Sequence, residues 1–359
     1  MALYEKLEYE LELITPAFIG GAFPKEQAEL RPASFIGILR WWFRNLALTI
    51  TDDIDAIYTL ESELFGNTQR AGKVWFFLKP IEVYTYQLID ENYRFNDILY
   101  IGFGNFMRIT YENLKRNRNK RYSHIYKYLR RENIPFQKET LNIKSYISKK
   151  VFKITFFTPK VYSIFIETLI SLLDLSGTIG SRNRRGWGSI KVLKGLSKHF
   201  HEIYPLFAQS LVKELKEIKE RDNISTSPKQ GILVAVYPKK VFKKDYELFK
   251  VLGFAYKKYR QSLKHSQRKY LGSANPRRGS PFIFKIKPTY QGYFLTVTYI
   301  VNGFFLPQTA KNDKEFCEIN IGLLKSLKEN FGDFGLLLLK SGKSLFPKEK
   351  ELDNLKEEC

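Results

Sequence analysis

The chain has 359 residues, enough for about two domains, and 44% of them are hydrophobic, which excludes a disordered chain. Its 59 lysines and arginines against 37 aspartates and glutamates give a net charge of +22, which indicates a polyanionic partner, nucleic acid first and an anionic membrane second. No apolar run approaches the roughly 20 residues that span a bilayer and no signal peptide opens the sequence, so we expect a cytoplasmic protein.

The first predicted elements are a strand over Tyr4–Ile14, in which hydrophobic residues alternate, and a helix capped by Ser34. The loop between them carries two charged residues that we interpret as structural. Glu29 is expected to pair with Arg31 or Arg40 and so to hold the loop, rather than to bind a metal.

The predicted helix has two faces at about 100° per residue. Its hydrophobic face includes Trp42, which we assign to the core. The other face carries Arg40, Trp41 and Arg44 beside Gly37, a composition able to contact a phosphate and to stack on a base. Alternatively, Trp41 fills a domain or subunit interface, where aromatic residues flanked by arginine are also enriched.

A strand over Lys73–Lys79 and another over Val151–Phe157 flank an insertion, residues 80–150. Residues 114–131 of this insertion are very basic and interleave cations with tyrosines, as in a helix laid along a nucleic-acid backbone. A solvated charged face is the alternative. The candidate RNA-binding residues in this segment are Lys115, Arg116 and Arg118.

A helix over Tyr162–Leu173 and a strand over Trp187–Val192 complete the βαββαβ order of a ferredoxin-like fold. After a connecting helix and linker, residues 199–229, the same order of elements repeats without a sequence repeat. We therefore predict an α+β protein with two tandem ferredoxin-like domains, the architecture that RNA-recognition modules also use. The first covers residues 1–198 and contains the insertion, expected to be helical, and the second covers residues 230–359.

Residues 177–188, called the glycine-rich loop below, combine four glycines with three arginines and a tryptophan. Glycine lets successive N–H groups point into one concavity, arginine suits phosphate oxygens, and tryptophan offers a face to a base. Neither standard nucleotide-binding glycine motif fits, so the loop indicates the phosphates of a polymer; a solvated arginine-rich hairpin turn is the alternative. The candidate RNA-binding residues are Gly180, Arg182, Arg184, Arg185 and Trp187, and those assigned to the shape of the loop are Gly177, Gly186 and Gly188.

The second half contains one more basic loop, residues 268–281, which carries four cations. Its Arg277 and Arg278 are candidates for a second phosphate contact. A joint between subunits is the alternative.

These motifs together resemble the RAMP proteins of CRISPR systems, whose hallmark is a glycine-rich loop before the last strand of a ferredoxin-like domain. The resemblance rests on Pro16 with Gly20 and Gly21, on the stretch from Glu29 to Arg44, and on residues 180–188. The paired tryptophans after Leu39-Arg40 and the segment Arg278-Gly-Ser-Pro281 are similar to the first RAMP subunit of type III-B Cmr effector complexes.

The resemblance implies a non-catalytic subunit of a ribonucleoprotein that uses guide RNA to bind complementary target RNA in antiviral defence. Its expected partners are guide RNA, target RNA and the other Cmr subunits, with no membrane and no small-molecule substrate.

The rival interpretation is an endoribonuclease that processes CRISPR RNA, because some RAMP relatives cleave RNA. Metal-free cleavage usually needs a histidine base, but His199 and His201 lie on the connecting helix. Metal-assisted cleavage needs converging carboxylates, of which the first loop offers Glu26 and Glu29. The two cysteines form neither a disulfide framework nor a zinc spacing, so we expect no metal and no cofactor.

Overall fold

Two antiparallel β-sheets, one in each half of the chain, organise the protein. The computed structural model describes residues 4–21, 27–79, 81–83, 93, 96–102, 106–110, 139–143, 146–220, 224–228, 230–274, 277–278, 280–301 and 313–352. For 81–83, 106–110, 139–143, 273–274, 277–278, 301 and 313–314 only the main chain is described.

The N-terminal half contains a four-stranded sheet in the order β3-β7-β1-β8, with every neighbouring pair antiparallel. The described strands of the N-terminal half, four of which form this sheet, are β1 (Tyr4–Leu13), β2 (Ala28–Leu30), β3 (Trp75–Leu78), β4 (Ile81–Val83), β5 (Phe106–Thr110), β6 (Glu139–Ile143), β7 (Val151–Pro159) and β8 (Ile190–Lys194). Its helices are α1 (Pro32–Ala47), α2 (Ile54–Phe65), α3 (Asn96–Ile101) and α4 (Ser163–Ser176), followed by the connecting helix α5 (Phe200–Lys219).

The C-terminal half repeats this arrangement. Its strands are β9 (Gly231–Phe242), β10 (Ser273–Ala274), β11 (Arg277–Arg278), β12 (Phe282–Thr289), β13 (Gly292–Val301), β14 (Gly335–Lys340) and β15 (Lys343–Leu345), and its helices are α6 (Asp245–Ser262) and α7 (Asp313–Phe331). The sheet order β12-β13-β9-β14 matches β3-β7-β1-β8, and β15 extends one edge. The predicted tandem ferredoxin-like fold is thus confirmed, whereas the domain boundaries at 198 and 230 stay predictions.

Several local expectations differ from the structure. Helix α1 begins at Pro32 with Arg31 as its N-cap residue, not Ser34, because the fixed φ of proline suits a first helical turn. Helix α2 was not predicted. The last strand of the N-terminal sheet begins at Ile190, so Trp187 lies in the glycine-rich loop. The described part of the insertion contains β4, α3, β5 and β6, and residues 111–138, with Lys115, Arg116 and Arg118, lie outside the described residues.

The C-terminal sheet is buried on both faces. In β9, Ile232 and Val234 join the core of the N-terminal half, while Leu233 and Ala235 on the opposite face join the core under α6 and α7. Side chains alternate across a strand, so one sheet serves two cores. Strand β14 alternates in the same way.

A buried lysine joins the two halves at the end of α4. Lys285 in β12 is 1% exposed, and its Nζ donates hydrogen bonds to the carbonyl oxygens of Leu173 and Asp174, each at 2.6 Å. Lys287 Nζ lies 2.9 Å from Asp174 Oδ2. Burial lowers the pKa of Lys285, opposed by the Asp174 charge. Burial acts to raise the pKa of Asp174, but the charges of Lys285 and Lys287 outweigh it, so this pKa is lowered.

Replacing Asp174 with asparagine is expected to lower the free energy of unfolding at neutral pH, by an amount that shrinks on acidification. The pKa of Asp174 in the folded state lies below its ordinary value of 3.8. The ionised carboxylate therefore stabilises the folded state fully above pH 3.8, and this stabilisation is lost as the pH falls through the folded-state pKa. Urea titrations of both proteins across this range measure the difference, with Glu318→Gln as an exposed control on α7. A difference that stays constant or grows on acidification contradicts the ion pair.

Two further observations concern cysteine and membrane. Cys317, buried in α7, is disulfide-bonded, contrary to the expectation that the cysteines form no disulfide. Among the described helices, none combines the length and the hydrophobicity that a membrane crossing requires.

Candidate nucleic-acid interface

The glycine-rich loop lies between the two halves, and hydrogen bonds to both hold its main chain. The hydroxyl of Thr15 donates to the carbonyl of Gly186 at 2.8 Å. On the other side, the N–H of Phe284 in β12 donates to the carbonyl of Arg184 at 3.2 Å. Gly188 has φ +68, and a Cβ there would collide with the carbonyl of Ile179, so a side chain does not fit. The main chain of the glycine-rich loop is therefore held in one conformation between the two halves.

Trp187 is fully buried, at 0% exposure, and this corrects its assignment as an RNA-stacking residue. Its ring stacks on Phe249 of α6 at 4.2 Å between centroids and 18° between planes. Phe18 and Tyr93 contact it at 5.4 and 5.9 Å. A base cannot reach a ring enclosed in this way, so Trp187 belongs to the core between the halves.

Arg185 also turns toward the C-terminal half, which corrects its assignment to the RNA surface. Its guanidinium carbon lies 4.0 Å from the ring centroid of Tyr256, a cation–π contact. Its Nη1 is buried and finds no hydrogen-bond partner among the described residues. Gly186, next in sequence, packs against Phe249.

Arg184 and Trp41 bring the glycine-rich loop and α1 together. The guanidinium carbon of Arg184 lies 5.4 Å from the Trp41 ring centroid, and its Nη1 donates to the carbonyl of Ser280. Burial, with the nearby charge of Arg185, lowers the pKa of Arg184. Trp41 is half-buried and meets the edge of Trp42 at 4.7 Å. Both alternatives for Trp41, base stacking and an interface, remain compatible with this position.

Arg182 is the most exposed of the three loop arginines and has φ +59, in the left-handed region. Gly180, with φ +95, approaches the carbonyl of Phe18 closely. Gly177 directly follows α4, and its N–H donates to the carbonyl of Leu173 at 2.8 Å.

A buried carboxylate, Glu61 of α2, holds the cationic face of α1. Arg40 Nε donates to Glu61 Oε1 at 2.6 Å, and Arg44 Nη1 lies 3.6 Å from Oε2. The Arg40 side chain is 26% exposed and that of Arg44 is 48% exposed. Arg44 is therefore the more accessible cation, and Arg40 is mainly an internal partner.

Of the two predicted partners of Glu29, Arg31 is the observed one, with its Nε 3.6 Å from Glu29 Oε2, and Arg40 is not. Trp42 is 2% exposed within the N-terminal core.

Glu61 was not among the predicted site residues because helix α2, on which it lies, was not predicted. Asp53 before this helix, whose side chain accepts from the N–H of Ala56 at 2.9 Å, is the sequence signal that indicates it.

The remaining candidates lie away from this contact or outside the described side chains. His199 is the N-cap residue of α5, and the rings of His199 and His201 are 6.0 Å apart. Arg277 and Arg278 form β11, paired with β10. Glu26 lies outside the described residues. Within the described ranges, no group of three or more potential ligand side chains is arranged to hold a metal ion.

Comparisons with known proteins agree with this fold. The sequence model of the RAMP superfamily matches residues 10–191. The Cmr1-1 subunit of the CRISPR system of Pyrococcus furiosus is 26% identical over 215 residues, 60% of this chain and 55% of that protein. The Cmr1-2 subunit of the same organism is 27% identical over 192 residues, 53% of this chain and 96% of that protein. The crystal structure of Cmr1 from P. furiosus shares the fold, with a TM-score of 0.52 and 17% identity over 94% of this chain and 99% of that chain.

Proposed function

Because this chain belongs to the RAMP superfamily, we propose that it is an RNA-binding, non-catalytic subunit of a type III-B Cmr ribonucleoprotein. In this role it helps to hold guide RNA and to engage complementary target RNA in antiviral defence in the cytoplasm. The similarity to two Cmr1 subunits supports the assignment to such a complex. Other Cmr subunits would then be its protein partners.

The contact between Trp41 and Arg184 is the observation that carries the proposal. It joins the cationic face of α1, which carries the exposed Arg44, to the glycine-rich loop, which carries the exposed Arg182, and the tryptophan at the contact is half-buried. Single-stranded RNA and short heteroduplexes need neutralisation of their backbone and an aromatic face, without a base-reading code. The net charge of +22 suits the same partner.

The proposal that this chain is non-catalytic is supported by the structural contacts that Glu61 and His199 make. Two arginines hold the buried carboxylate of Glu61. His199 lies away from the contact and is the N-cap residue of α5, where its main-chain N–H donates to Glu202 Oε2 at 2.9 Å. We also propose that residues 1–198 and 230–359 are the two domains, with 199–229 connecting them.

Arg44→Ala and Arg182→Ala are each expected to weaken binding of a labelled single-stranded RNA and to flatten its salt dependence. Each lost phosphate contact should lower the slope of log K against log salt by about 0.7 for a single strand. Fluorescence anisotropy over a salt series measures this slope. Lys239→Ala is the control, because this lysine is 64% exposed but pairs with Asp333 in the C-terminal half.

Unchanged slopes in both arginine variants would remove this surface from RNA binding. Site-specific cleavage of the RNA by the purified chain would instead support the endoribonuclease interpretation. Loss of complex assembly with unchanged RNA affinity in Trp41→Ala would assign Trp41 to a subunit interface.

A further inference from the structure

An open cleft of about 550 Å³ lies beside the cationic face of α1, at the junction of α2 and β3. Arg40, Tyr58, Asn67 and Arg70 are among the residues that line it. Its outer wall is the segment between α2 and β3, residues 66–72, called the α2–β3 loop below. No role assigned so far uses this loop.

The α2–β3 loop is rigidly closed at its neck and at its tip. At the neck, Gly66 has φ +80, and a Cβ on Gly72 would lie 2.6 Å from the nitrogen of Gly66, so both positions need glycine. At the tip, the N–H of Asn67 donates to the carbonyl of Arg70 at 2.9 Å. Asn67 Oδ1 accepts from the N–H groups of Gln69 and Arg70 at 2.9 and 3.0 Å. A wall held in this way costs little further ordering when a ligand binds.

The charges around the cleft are unbalanced toward the positive. Glu61 is shared by Arg40 and Arg44, as described above. Glu63 is shared in the same way by Lys73 at 2.7 Å and Arg70 at 3.7 Å. Four cations against two carboxylates leave an excess of two positive charges, and two of these cations, Arg40 and Arg70, line the cleft itself. Arg70 and Lys73 are about half exposed, at 47% and 51%, so a polyanion can reach them.

Tyr58 adds an exposed aromatic face to the same cleft. It lies on α2, and 54% of its surface is exposed. An exposed tyrosine beside cations is the pairing that binds single-stranded nucleic acid, with the base on the ring and the phosphate on the cation. Because the cleft is open, it suits a strand that continues beyond it better than an enclosed mononucleotide.

We propose that the cleft between α2 and the α2–β3 loop binds a nucleotide of single-stranded RNA. Tyr58 stacks on its base, and Arg70 faces its phosphate. This inference rests on the proposed function, because it presupposes an RNA ligand. It adds a second stretch of RNA contact to the one at Trp41 and Arg184, since α1 supplies Arg40 to the cleft and Trp41 to the other contact.

The test is binding of a fluorescein-labelled oligouridine to the purified full chain. Tyr58→Ala should weaken binding about 5- to 150-fold, the range for loss of one stacked base, while Tyr58→Phe keeps an aromatic ring and should bind like the wild type. Arg70→Ala should lower the salt slope by about 0.7. Tyr290→Ala is the matched control, because this tyrosine is 95% exposed in the turn between β12 and β13.

The outcomes separate this inference from the proposed function. Wild-type binding by Tyr58→Ala and Arg70→Ala, together with weakened binding by Arg182→Ala, overturns the cleft and leaves the proposed function intact. No oligouridine binding by the wild type overturns both. If Tyr58→Ala loses stability, photocrosslinking of 4-thiouridine RNA to the wild type decides instead: crosslinks in the peptide containing Tyr58 support the cleft, and their absence there overturns it. Normal RNA affinity with failed complex assembly would point to an acidic protein partner and also overturns it.

Discussion

Replacing Trp187 with alanine is expected to lower the free energy of unfolding by about 3–5 kcal/mol, the range for truncation of a large buried side chain. The ring is fully buried and stacked on Phe249, with Phe18 at its edge. The loss combines the apolar surface returned to water with the cavity that the surrounding side chains cannot fill. Because Phe18 and Phe249 belong to different halves of the chain, the cavity would open between them.

Urea denaturation followed by circular dichroism measures this effect. Trp75→Ala is the matched control, because Trp75 is 58% exposed in β3, and it should change the free energy of unfolding by well under 1 kcal/mol. Trp187→Phe should lose less than Trp187→Ala, since it keeps an aromatic ring against Phe249. Unchanged stability of Trp187→Ala with a loss of RNA affinity would restore Trp187 as an RNA-binding residue.

Replacing Glu61 with glutamine is expected to lower the free energy of unfolding by about 2–3 kcal/mol. Arg40 would lose a charged hydrogen bond of 2.6 Å, and two guanidinium groups would face each other without their shared counter-charge. The estimate lies below that for a fully buried pair, because both arginines reach solvent.

A double-mutant cycle with Arg40→Met isolates this interaction. Arg40→Met alone leaves the Glu61 carboxylate buried, with Arg44 as its remaining cation at 3.6 Å. We therefore expect the double variant to be more stable than the sum of the single losses by about 1–2 kcal/mol, as for residues in direct contact. Additive losses within about 0.3 kcal/mol would show that the pair contributes nothing specific.

Much of the fold could be predicted from the sequence because the hydrophobic periodicity of its main elements is clear. The alternation in β1 and the order of elements in both halves led to the observed sheet arrangement. Helix α2 carries an equally clear signal, with Ala56, Ile57, Leu60 and Leu64 buried at helical spacing after the N-cap residue Asp53. The error at the start of α1 arose because Ser34 is a good capping residue, whereas Pro32 two residues earlier fixes the first turn.

The candidate site was harder to predict because composition does not say which side of a loop faces solvent. Arg185 and Trp187 have the chemistry of RNA-binding residues, but their partners Tyr256 and Phe249 lie more than 60 residues away in the sequence. Such partners are visible only once the halves are brought together. Arg40 was misjudged for a related reason, since its partner Glu61 lies on the helix that was missed.

The double-sided burial of the C-terminal sheet limits how this protein can have arisen and how it can be divided. A solitary C-terminal half would present the row of Ile232, Val234, Leu337 and Leu339 to water, an apolar sheet face prone to self-association. Gene fusion of two freestanding modules would therefore have required this face to become hydrophobic only after the halves were joined. For the same reason, chimeras that exchange one half with a relative would fold only if the facing surfaces of α4 and of strands β12 and β13 were exchanged together.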